Sequence, residues 1–244
     1  MSMGMSYGIT AETGNNIQTD GLVFYVDAAY KKSYPGTGST WTDMINNSAG
    51  TITNATFDSS GYFDFDGAGD YIDFAANSNL NFGTGNWTVS CWARQDEIGL
   101  DGYYRRVWMM DGPTGNNVSN PQLAIEPSDY GTEGTPNAWS GGGLDIHDGS
   151  VTMLNAWRNI VIVRNSSTIS LYTDGSENGT ADTSIGSMNL ANLNSGSPRV
   201  RLGSFDGSQG DFGGQIACIQ MYDRALTTGD ILQNYNAQKE RFGG

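Results

Sequence analysis

Residues 205–235 read FDGSQGDFGGQIACIQMYDRALTTGDILQNY, and this stretch decides the fold of the chain. Its first part is rich in glycine, which is typical of a turn. Residues 216–222 form an apolar run of strand length, and Arg224 follows at a corner. The order of turn, strand and corner predicts a buried β-strand near the end of the chain.

A short helix is expected after this corner, over residues 230–240. Thr227 or Thr228 can cap its N-terminus, because a hydroxyl accepts a hydrogen bond from a free backbone N–H of the first turn. The helical spacing of the apolar side chains places three of them on the inner face: Ile231, Leu232 and Tyr235. The helix should therefore pack on the preceding sheet.

Three further segments point in the same direction as residues 205–235: GLVFYVDA at 21–28, FDGAGDYI at 65–72 and WTVSCW at 87–92. In this order, the four segments resemble laminin-G-like domains of the concanavalin A-like lectin and glucanase superfamily. The resemblance implies an all-β fold, in which two antiparallel sheets form a jelly-roll sandwich with a short C-terminal helix. This fold serves binding, catalysis and scaffolding alike, so it does not by itself determine the function.

The distribution of glycine agrees with an all-β protein. The 34 glycines fall between short apolar runs, as turns do in a many-stranded protein. Tyr62–Asp66 and Tyr71–Phe74 alternate between apolar and polar side chains, and residues 67–69 between them predict a tight hairpin. Further strands are expected at residues 22–28, 87–93, 106–110, 122–126, 144–147, 159–164, 168–173, 200–203 and 216–222.

The charge of the chain excludes some partners. Its formal net charge is −14, and such a field repels phosphate backbones and anionic lipids. Nucleic-acid and membrane partners are therefore not expected, although an acidic surface also serves solubility alone. Residues 1–18 have no apolar segment of the signal-peptide type, and no apolar run in the chain has the length of a membrane span.

The chain divides into a polar N-terminal arm, residues 1–20, and one laminin-G-like jelly-roll domain, residues 21–244. The arm has little apolar pattern, so we expect it to be disordered alone or ordered by a partner. Cys91 and Cys218 lie in two expected strands. They are either buried free thiols or a disulfide between neighbouring strands, and the sequence does not give the Cα separation that decides between them.

A catalytic function is not expected. Glycosidases need two carboxylates that face each other, and laminarinase-type relatives carry them on one strand as Glu-x-Asp-x-Glu. The six glutamates of this chain do not form that pattern. His147 is the only histidine, and no serine or cysteine nucleophile is marked beside it, so we interpret it as a residue at the rim of a binding site.

Asp66 and Asp70 form a candidate metal site. They flank residues 67–69, so their carboxylates should lie near each other across the hairpin. Like charges held close need solvent, a hydrogen-bond donor or a cation. The resemblance to laminin-G-like domains implies calcium as that cation, and the alternative is that both side chains cap the turn by accepting backbone N–H groups.

Aromatic residues between positions 99 and 140 are candidates for ligand binding: Tyr103, Tyr104, Trp108, Tyr130 and Trp139. The surrounding sequence is rich in Gly, Pro, Asn and Asp, which predicts loops. Rings on loops can stack on the flat C–H faces of sugars, while neighbouring Asn and Asp bond their hydroxyls. We expect Trp108 in the core and Tyr103, Tyr130 and Trp139, with His147, at a glycan site. The alternative for Tyr103, Tyr130 and Trp139 is a place in the core or in a subunit contact.

The whole chain also resembles the compact laminin-G-like domains of tailed phages, through GLVFYVDA at 21–28 and ILQNYNA at 231–237. The resemblance implies a non-enzymatic capsid or tail decoration or adhesion protein on the virion surface, assembled in the host cytoplasm. Residues 1–20 would fasten it to other virion proteins, and glycans would be its ligands. The alternative is an extracellular carbohydrate-binding lectin or adhesion domain of bacterial origin.

Overall fold

A computed structural model describes residues 16–96, 105–111, 123–128, 134–140, 144–183, 190, 199–207 and 210–243. These ranges contain sixteen β-strands and one α-helix. The strands are β1 (Leu22–Asp27), β2 (Thr40–Thr42), β3 (Ala49–Thr53), β4 (Thr56–Asp58), β5 (Tyr62–Asp66), β6 (Tyr71–Phe74), β7 (Trp87–Gln95), β8 (Trp108–Asp111), β9 (Leu123–Ser128), β10 (Thr135–Ser140), β11 (Leu144–His147), β12 (Arg158–Asn165), β13 (Thr168–Thr173), β14 (Ser176–Asp182), β15 (Arg199–Leu202) and β16 (Gly213–Tyr222). The helix α1 is Thr228–Gln238, and 3-10 turns lie at Ser78–Leu80 and Lys239–Phe242.

The strands form two antiparallel sheets of eight strands each. Sheet A has the order β14-β13-β12-β7-β16-β5-β4, and β1 also pairs with β16. Sheet B has the order β11-β10-β9-β8-β15-β6-β3-β2. The all-β, two-sheet antiparallel sandwich with one short C-terminal helix is therefore confirmed.

The core lies between the two sheets, because each strand turns every second side chain inward. Phe63 and Phe65 of sheet A and Ile72 and Phe74 of sheet B are all at most 1% exposed. The rings meet edge to face or tilted; Phe24 and Phe74, for example, have ring centroids 5.1 Å apart. This aromatic layer excludes water from the interior of the sandwich.

The prediction of a hairpin at residues 67–69 is wrong. β5 pairs with β4 and β16 in sheet A, whereas β6 pairs with β3 and β15 in sheet B. Residues 67–69 are a corner that carries the chain from one sheet to the other, and Gly67 and Gly69 have positive φ angles of 79° and 78°. Alternation shows which side chains share a face, but not which sheet the strand joins.

Two other turns agree with the sequence. Asn165 pairs with Thr168 across β12 and β13, which leaves a two-residue turn. Asp174 and Gly175 connect β13 to β14 with φ angles of 52° and 81°. Positive φ at both central positions is the geometry that matches the twist of a hairpin.

Helix α1 packs on the outer face of sheet A. Thr227 caps it in a capping box: its side chain accepts from the Asp230 N–H at 3.2 Å, and Asp230 accepts from the Thr227 N–H at 3.0 Å. Ile231 is buried as expected, but Leu232 is 47% exposed. Asn234 and Ala237 take the inner positions instead, so the inward stripe is polar in part.

The segment immediately before β1 lies against the same helix. The backbone N–H of Gln18 donates to Asn234 Oδ1 at 2.7 Å, and the Tyr222 hydroxyl donates to the Gln18 carbonyl at 3.1 Å. Ile17 is 7% exposed and joins the apolar cluster beneath α1. Residues 16–20 of the expected arm thus pack on the domain.

The C-terminal 3-10 turn is tied to β1 by an ion pair. Arg241 Nη1 donates to both carboxylate oxygens of Asp27, at 2.7 and 2.9 Å, and Asp27 is 1% exposed. The same guanidinium donates to the Gly61 carbonyl through Nη2. Arg241 therefore joins the end of the chain to β1 and to the turn before β5.

Both cysteines are free and buried, so the interpretation as free thiols is confirmed. Burial raises the pKa of the Cys91 thiol and of the Cys218 thiol. Deprotonation is thereby suppressed, and with it thiolate reactivity. Of the described helices, none combines the length and the apolar character needed to cross a membrane.

Candidate functional site

The outer face of sheet B is the candidate site. Ile125 of β9 and Ala138 of β10 belong to the core between the sheets. Strand alternation therefore turns Glu126, Asn137 and Trp139 to the opposite, outer face. The outer face of sheet B thus carries polar and aromatic side chains.

The strand register arranges these residues in two rows. One row crosses the sheet through Asp73, Arg201, Met109, Ala124 and Trp139. The other row joins Glu126, Asn137 and His147 on β9, β10 and β11. In an antiparallel sheet, side chains at paired positions lie next to each other, so each row is a continuous strip of neighbours.

A buried ion pair lies at one end of the second row. Arg106 and Glu126 are in contact through Nη1 and Oε2, and their side chains are 3% and 0% exposed. Asn137 Nδ2 donates to Glu126 Oε1 at 3.2 Å. The Arg106 guanidinium also lies over the Trp139 ring, 4.7 Å from its centroid. This contact places a cation against one face of the half-buried indole.

A second ion pair lies in the first row. Arg201 donates through Nε and Nη2 to the two carboxylate oxygens of Asp73, at 2.6 and 2.7 Å. Its guanidinium lies 4.8 Å from the centroid of the Tyr71 ring, and Arg199 Nη1 approaches Asp73 at 3.9 Å. The Arg106–Glu126 and Arg201–Asp73 pairs are therefore both held in fixed orientations beside aromatic rings on this face.

The structure places two of the four expected ligand-binding residues on this face. Trp139 and His147 lie at half-buried positions of β10 and β11. The expectation that Trp139 is on a loop is wrong, because it lies in β10 between Ala138 and Ser140. Tyr103 and Tyr130 lie outside the described residues. Trp108 is in the core with no exposed surface, as expected.

The ion pairs of this face are not predictable from the sequence pattern. Glu126 is the one charged residue of β9 and directly follows three apolar residues, and this is the signal that the sequence offers. Its partner Arg106 is twenty positions away along the chain, so no local spacing links the two residues. Arg201 lies in a strand that the sequence predicts. Its bond to Asp73 on the neighbouring strand is not predicted.

The two ion-paired carboxylates of this face, Glu126 and Asp73, are poorly placed to act together in glycoside hydrolysis. Glu126 and Asp73 are separated by three strand spacings, which amounts to about 14 Å at roughly 4.8 Å per strand. Glycosidases place their carboxylates about 5–9.5 Å apart. Arginine also engages each one. Glu126 and Asp73 therefore do not match the spacing of a glycosidase pair.

The carboxylates at the corner between β5 and β6 act as turn caps. Asp70 Oδ2 accepts from the Asp66 N–H at 2.9 Å, and Asp66 Oδ1 accepts from the Ala68 N–H at 2.8 Å. Asp211 Oδ2 accepts from the Gly69 N–H at 2.8 Å. Within the described ranges, no three His, Cys, Asp or Glu side chains come together in a group that could hold a metal. Calcium at this corner stays a prediction.

Burial raises the pKa of Asp70, and the neighbouring carboxylates of Asp66, Asp64 and Asp211 raise it further. The bond from the Asp66 N–H opposes these effects. At this corner the charged form of Asp70 is therefore less stable than it would be in an exposed turn. A bound cation would stabilise the charged form.

The fold and this face together define a two-sheet, lectin-like sandwich, and comparison with known families gives the same result. The chain belongs to the concanavalin A-like lectin/glucanase superfamily, because a laminin G family model of that description matches residues 66–232. Among curated proteins, none matches the sequence.

Several solved structures share the fold at low sequence identity. Sialidase from Trypanosoma rangeli is similar with a TM-score of 0.70 and 17% identity over 97% of this chain and 36% of the sialidase chain. This chain thus spans about a third of the sialidase's length. Domain 4 of AbnA, an extracellular arabinanase from Geobacillus stearothermophilus solved with arabinotriose, has a TM-score of 0.67 and 14% identity over 89% of this chain and 100% of that domain.

The binding domain of Paraclostridial Mosquitocidal Protein 1 is also similar, with a TM-score of 0.63 and 18% identity over 89% of this chain and 52% of that chain. At these identities the similarity concerns the fold alone. The chain therefore has a concanavalin A-like fold similar to that of carbohydrate-binding domains.

Proposed function

We propose that the protein is a non-catalytic glycan-binding module, and that the outer face of sheet B binds the glycan. The observation that carries this proposal is the buried Arg106–Glu126 pair beneath the half-exposed ring of Trp139. Burying two charges costs several kcal/mol of desolvation each, so a buried pair is weak support for stability. A role in ligand recognition accounts for its presence.

The chemistry of the face suits a sugar. Each sugar hydroxyl both donates and accepts hydrogen bonds, and the groups of this face that keep exposed surface include Asp73, Arg199 and His147. Arg106, Glu126 and Asn137 are almost fully buried and hold Trp139 from beneath. Trp139 supplies an aromatic surface for the C–H face of a sugar ring. A few oriented polar groups beside aromatic rings are the usual composition of a small-molecule site.

The similarity to domain 4 of the arabinanase supports the same class of ligand. That domain is a separate unit of an enzyme that acts on a polysaccharide, and it was solved with arabinotriose. Since its fold extends over 89% of this chain, an oligosaccharide on this sandwich is a reasonable expectation. Arabinan oligosaccharides are therefore the first probes to use.

A glycan array that includes arabinan oligosaccharides tests the proposal. The wild-type protein should bind a defined group of glycans, and Trp139→Ala should lose that binding by removing the aromatic surface. Leu232→Ala is the matched control, because Leu232 is 47% exposed on α1 at the opposite sheet. It should bind like the wild type.

If the wild type binds no glycan on the array, the proposal of glycan binding is contradicted. Unchanged binding by a folded Trp139→Ala protein would move the site away from sheet B. Hydrolysis of any bound glycan during long incubation would contradict the non-catalytic part of the proposal.

We further propose that the module works on the surface of a phage particle, in its capsid or tail. The resemblance of residues 21–28 and 231–237 to phage laminin-G-like domains supports this setting, as does the net charge of −14, which keeps the surface soluble and disfavours nucleic acid and membranes as partners. An extracellular bacterial lectin is the alternative. In the phage setting, the N-terminal arm attaches the domain to other virion proteins.

Deletion of residues 1–15 tests the role of the arm. The deletion stops before Ile17 and Gln18, because these residues pack on the domain and their removal would disturb α1. The shortened protein should keep its melting temperature and its glycan binding but no longer join particles during assembly. Normal incorporation of the shortened protein would show that the arm is not the attachment segment.

A further inference from the structure

A pocket lies on the side of the molecule opposite to sheet B, where the segment before β12 meets α1 and the C-terminal turn. Its volume is about 340 Å³, and we call it the aromatic pocket, lined by Trp92, Trp157, Tyr235, Phe242, Arg94, Arg158 and Asp174 among others. The outer face of sheet B contributes none of these residues. This volume is at the small end of the range of about 300–1,000 Å³ that is typical of small-molecule sites.

One wall of the aromatic pocket is a rigid stack of rings. Trp92 lies between Tyr235 and Phe242, with centroid distances of 5.7 and 4.1 Å and interplanar angles of 13° and 17°. Its Nε1 donates to Gln238 Oε1 at 3.1 Å, which fixes the indole in its plane. Trp157 is only half-buried and tilts against Phe242 at 4.9 Å. Trp157 is thus the larger ring that a ligand can reach.

The remaining lining is polar and balanced in charge. Arg158 donates from Nη1 to Asp174 at 2.7 Å and from Nε to the Thr152 carbonyl at 2.8 Å. Arg94 Nη2 lies 3.2 Å from Asp96 Oδ1 and 3.4 Å from Asn155 Oδ1. A simple hydrophobic contact between helix and sheet would exclude such charged groups. Each guanidinium has a carboxylate partner here, yet each keeps further N–H groups for a ligand.

We propose that the aromatic pocket binds one ring of a neutral sugar, as a second glycan site independent of the face of sheet B. The stacked and tilted rings offer surface to the C–H face of the sugar, and the arginines, Asp174 and Asn155 offer both donors and acceptors to its hydroxyls. Because Asp96 and Asp174 already compensate the two arginines, the pocket has no excess positive charge for an acidic sugar. This inference rests on the proposed glycan function for its class of ligand.

Two sites on opposite sheets would let the module hold two glycan chains or two parts of a long flexible one. A second attachment raises the overall avidity without any new contact at the first site. The small volume of the aromatic pocket suits a terminal ring or a side branch, whereas the rows of sheet B extend over several strands and suit a chain.

The experiment uses the full chain and neutral monosaccharides (L-arabinose, D-galactose, D-glucose and D-mannose), with D-glucuronic acid as the acidic probe. Binding is measured by saturation-transfer NMR and by tryptophan fluorescence at millimolar sugar. At least one neutral monosaccharide should bind the wild type. Trp157→Ala should weaken this binding about tenfold or more, whereas Trp139→Ala should leave it unchanged.

Asp174→Asn is the second variant, and it keeps the volume and the φ of 52° that asparagine tolerates. It leaves Arg158 without its carboxylate, so the preference should move from neutral sugars toward D-glucuronic acid. This variant decides the matter if Trp157→Ala does not fold.

Failure of this inference and failure of the sheet B site give different results. Loss of binding in Trp139→Ala alone, with Trp157→Ala and Asp174→Asn like the wild type, would overturn the second site and keep the first. Loss of monosaccharide binding in Trp157→Ala alone is the result expected for the second site, and the sheet B site is then overturned only if Trp139→Ala keeps its binding on the glycan array. A wild type that binds none of the neutral monosaccharides would overturn the aromatic pocket as a sugar site.

Discussion

The outer faces of the two sheets are covered in different ways. On sheet A, the helix α1 and Ile17 bury an apolar layer that includes Tyr25, Val161 and Tyr222. On sheet B, the outer face combines apolar side chains such as Met109 with ion pairs, and the Arg106–Glu126 pair is almost fully buried. Apolar burial stabilises at about 25 cal/mol per Å² of surface, whereas buried charges carry a desolvation cost. The covering layer of sheet A therefore contributes stability, and the costly charges of sheet B are the reason for the binding role that we propose for that face.

The largest effect on stability is expected from a substitution of Arg241. This arginine pairs with Asp27, the buried aspartate of β1 in sheet A. Arg241→Ala leaves the Asp27 carboxylate without its cation and should lower the free energy of unfolding by about 3–5 kcal/mol. Urea denaturation of the variant and of the wild type measures the loss. A decrease below about 1 kcal/mol would place the pair among weak surface contacts.

This loss should depend on pH in a defined direction. Burial raises the pKa of Asp27, and Arg241 opposes that rise. Without Arg241 the folded-state pKa should rise further above the unfolded value, so the variant is least destabilised below the unfolded pKa. Its deficit should grow as the pH rises through the folded pKa. A deficit that is equal in acid and at neutral pH would contradict this account.

The next effect concerns the ion pair of sheet B. Glu126→Gln keeps an acceptor for Asn137 but leaves Arg106 charged in a buried position, so it should cost about 3 kcal/mol. Adding Arg106→Met removes the charge and should recover most of that loss, while glycan binding stays abolished. Denaturation and the glycan array measure the two properties separately. A double variant that stays unstable but binds glycan would reverse the assignment of roles to the two sheets.

Calcium at the corner between the sheets would have an effect of intermediate size. If a cation binds Asp66 and Asp70, the stability should rise by roughly 2.7 kcal/mol at a hundredfold excess over the dissociation constant. Thermal melts in chelator and in millimolar calcium measure this rise, and Asp70→Asn should reduce it. Equal midpoints in both solutions would leave these carboxylates as turn caps, in agreement with their bonds to backbone N–H groups.

The smallest effect is expected at the N-terminus of α1. Thr227→Ala removes the side-chain half of the capping box and should cost about 1 kcal/mol. Burial acts to raise the pKa of Asp230, but bonds from Arg224 and the Thr227 N–H outweigh it and lower the pKa. The contribution of Asp230 is therefore present above its unfolded pKa and is lost as the pH falls through the folded value. Thr228→Ala is the control, and it should change the melting temperature less than Thr227→Ala does.

The elements predicted best from the sequence are those buried on both faces. β7, β12 and β16 are buried along almost their whole length, because the core covers one side and the layer beneath α1 covers the other. The short polar strands β2, β3 and β4 and the proline-containing β10 were not predicted, since their pairing comes from the neighbouring strands and not from their own composition.

The candidate site was predicted only in part. Trp139 and His147 stand out by residue type, and the structure places them on one face. The partners that give this face its character are joined across strands: Arg106 with Glu126, and Arg201 with Asp73. Such contacts depend on the strand order of the sheet, which the sequence pattern does not contain.

The central position of β16 has a consequence for how the molecule is made. Tyr25 of β1 pairs with Gln220 of β16, so a nascent β1 waits 195 residues for its partner. At about 5–20 residues per second, synthesis of that length takes roughly 10–40 s. During this interval the inner strands of sheet A expose edges to other chains, and only the last strand closes them. Ribosome-bound chains stalled before β16 should thus be a substrate for chaperones, whereas chains that include it should fold.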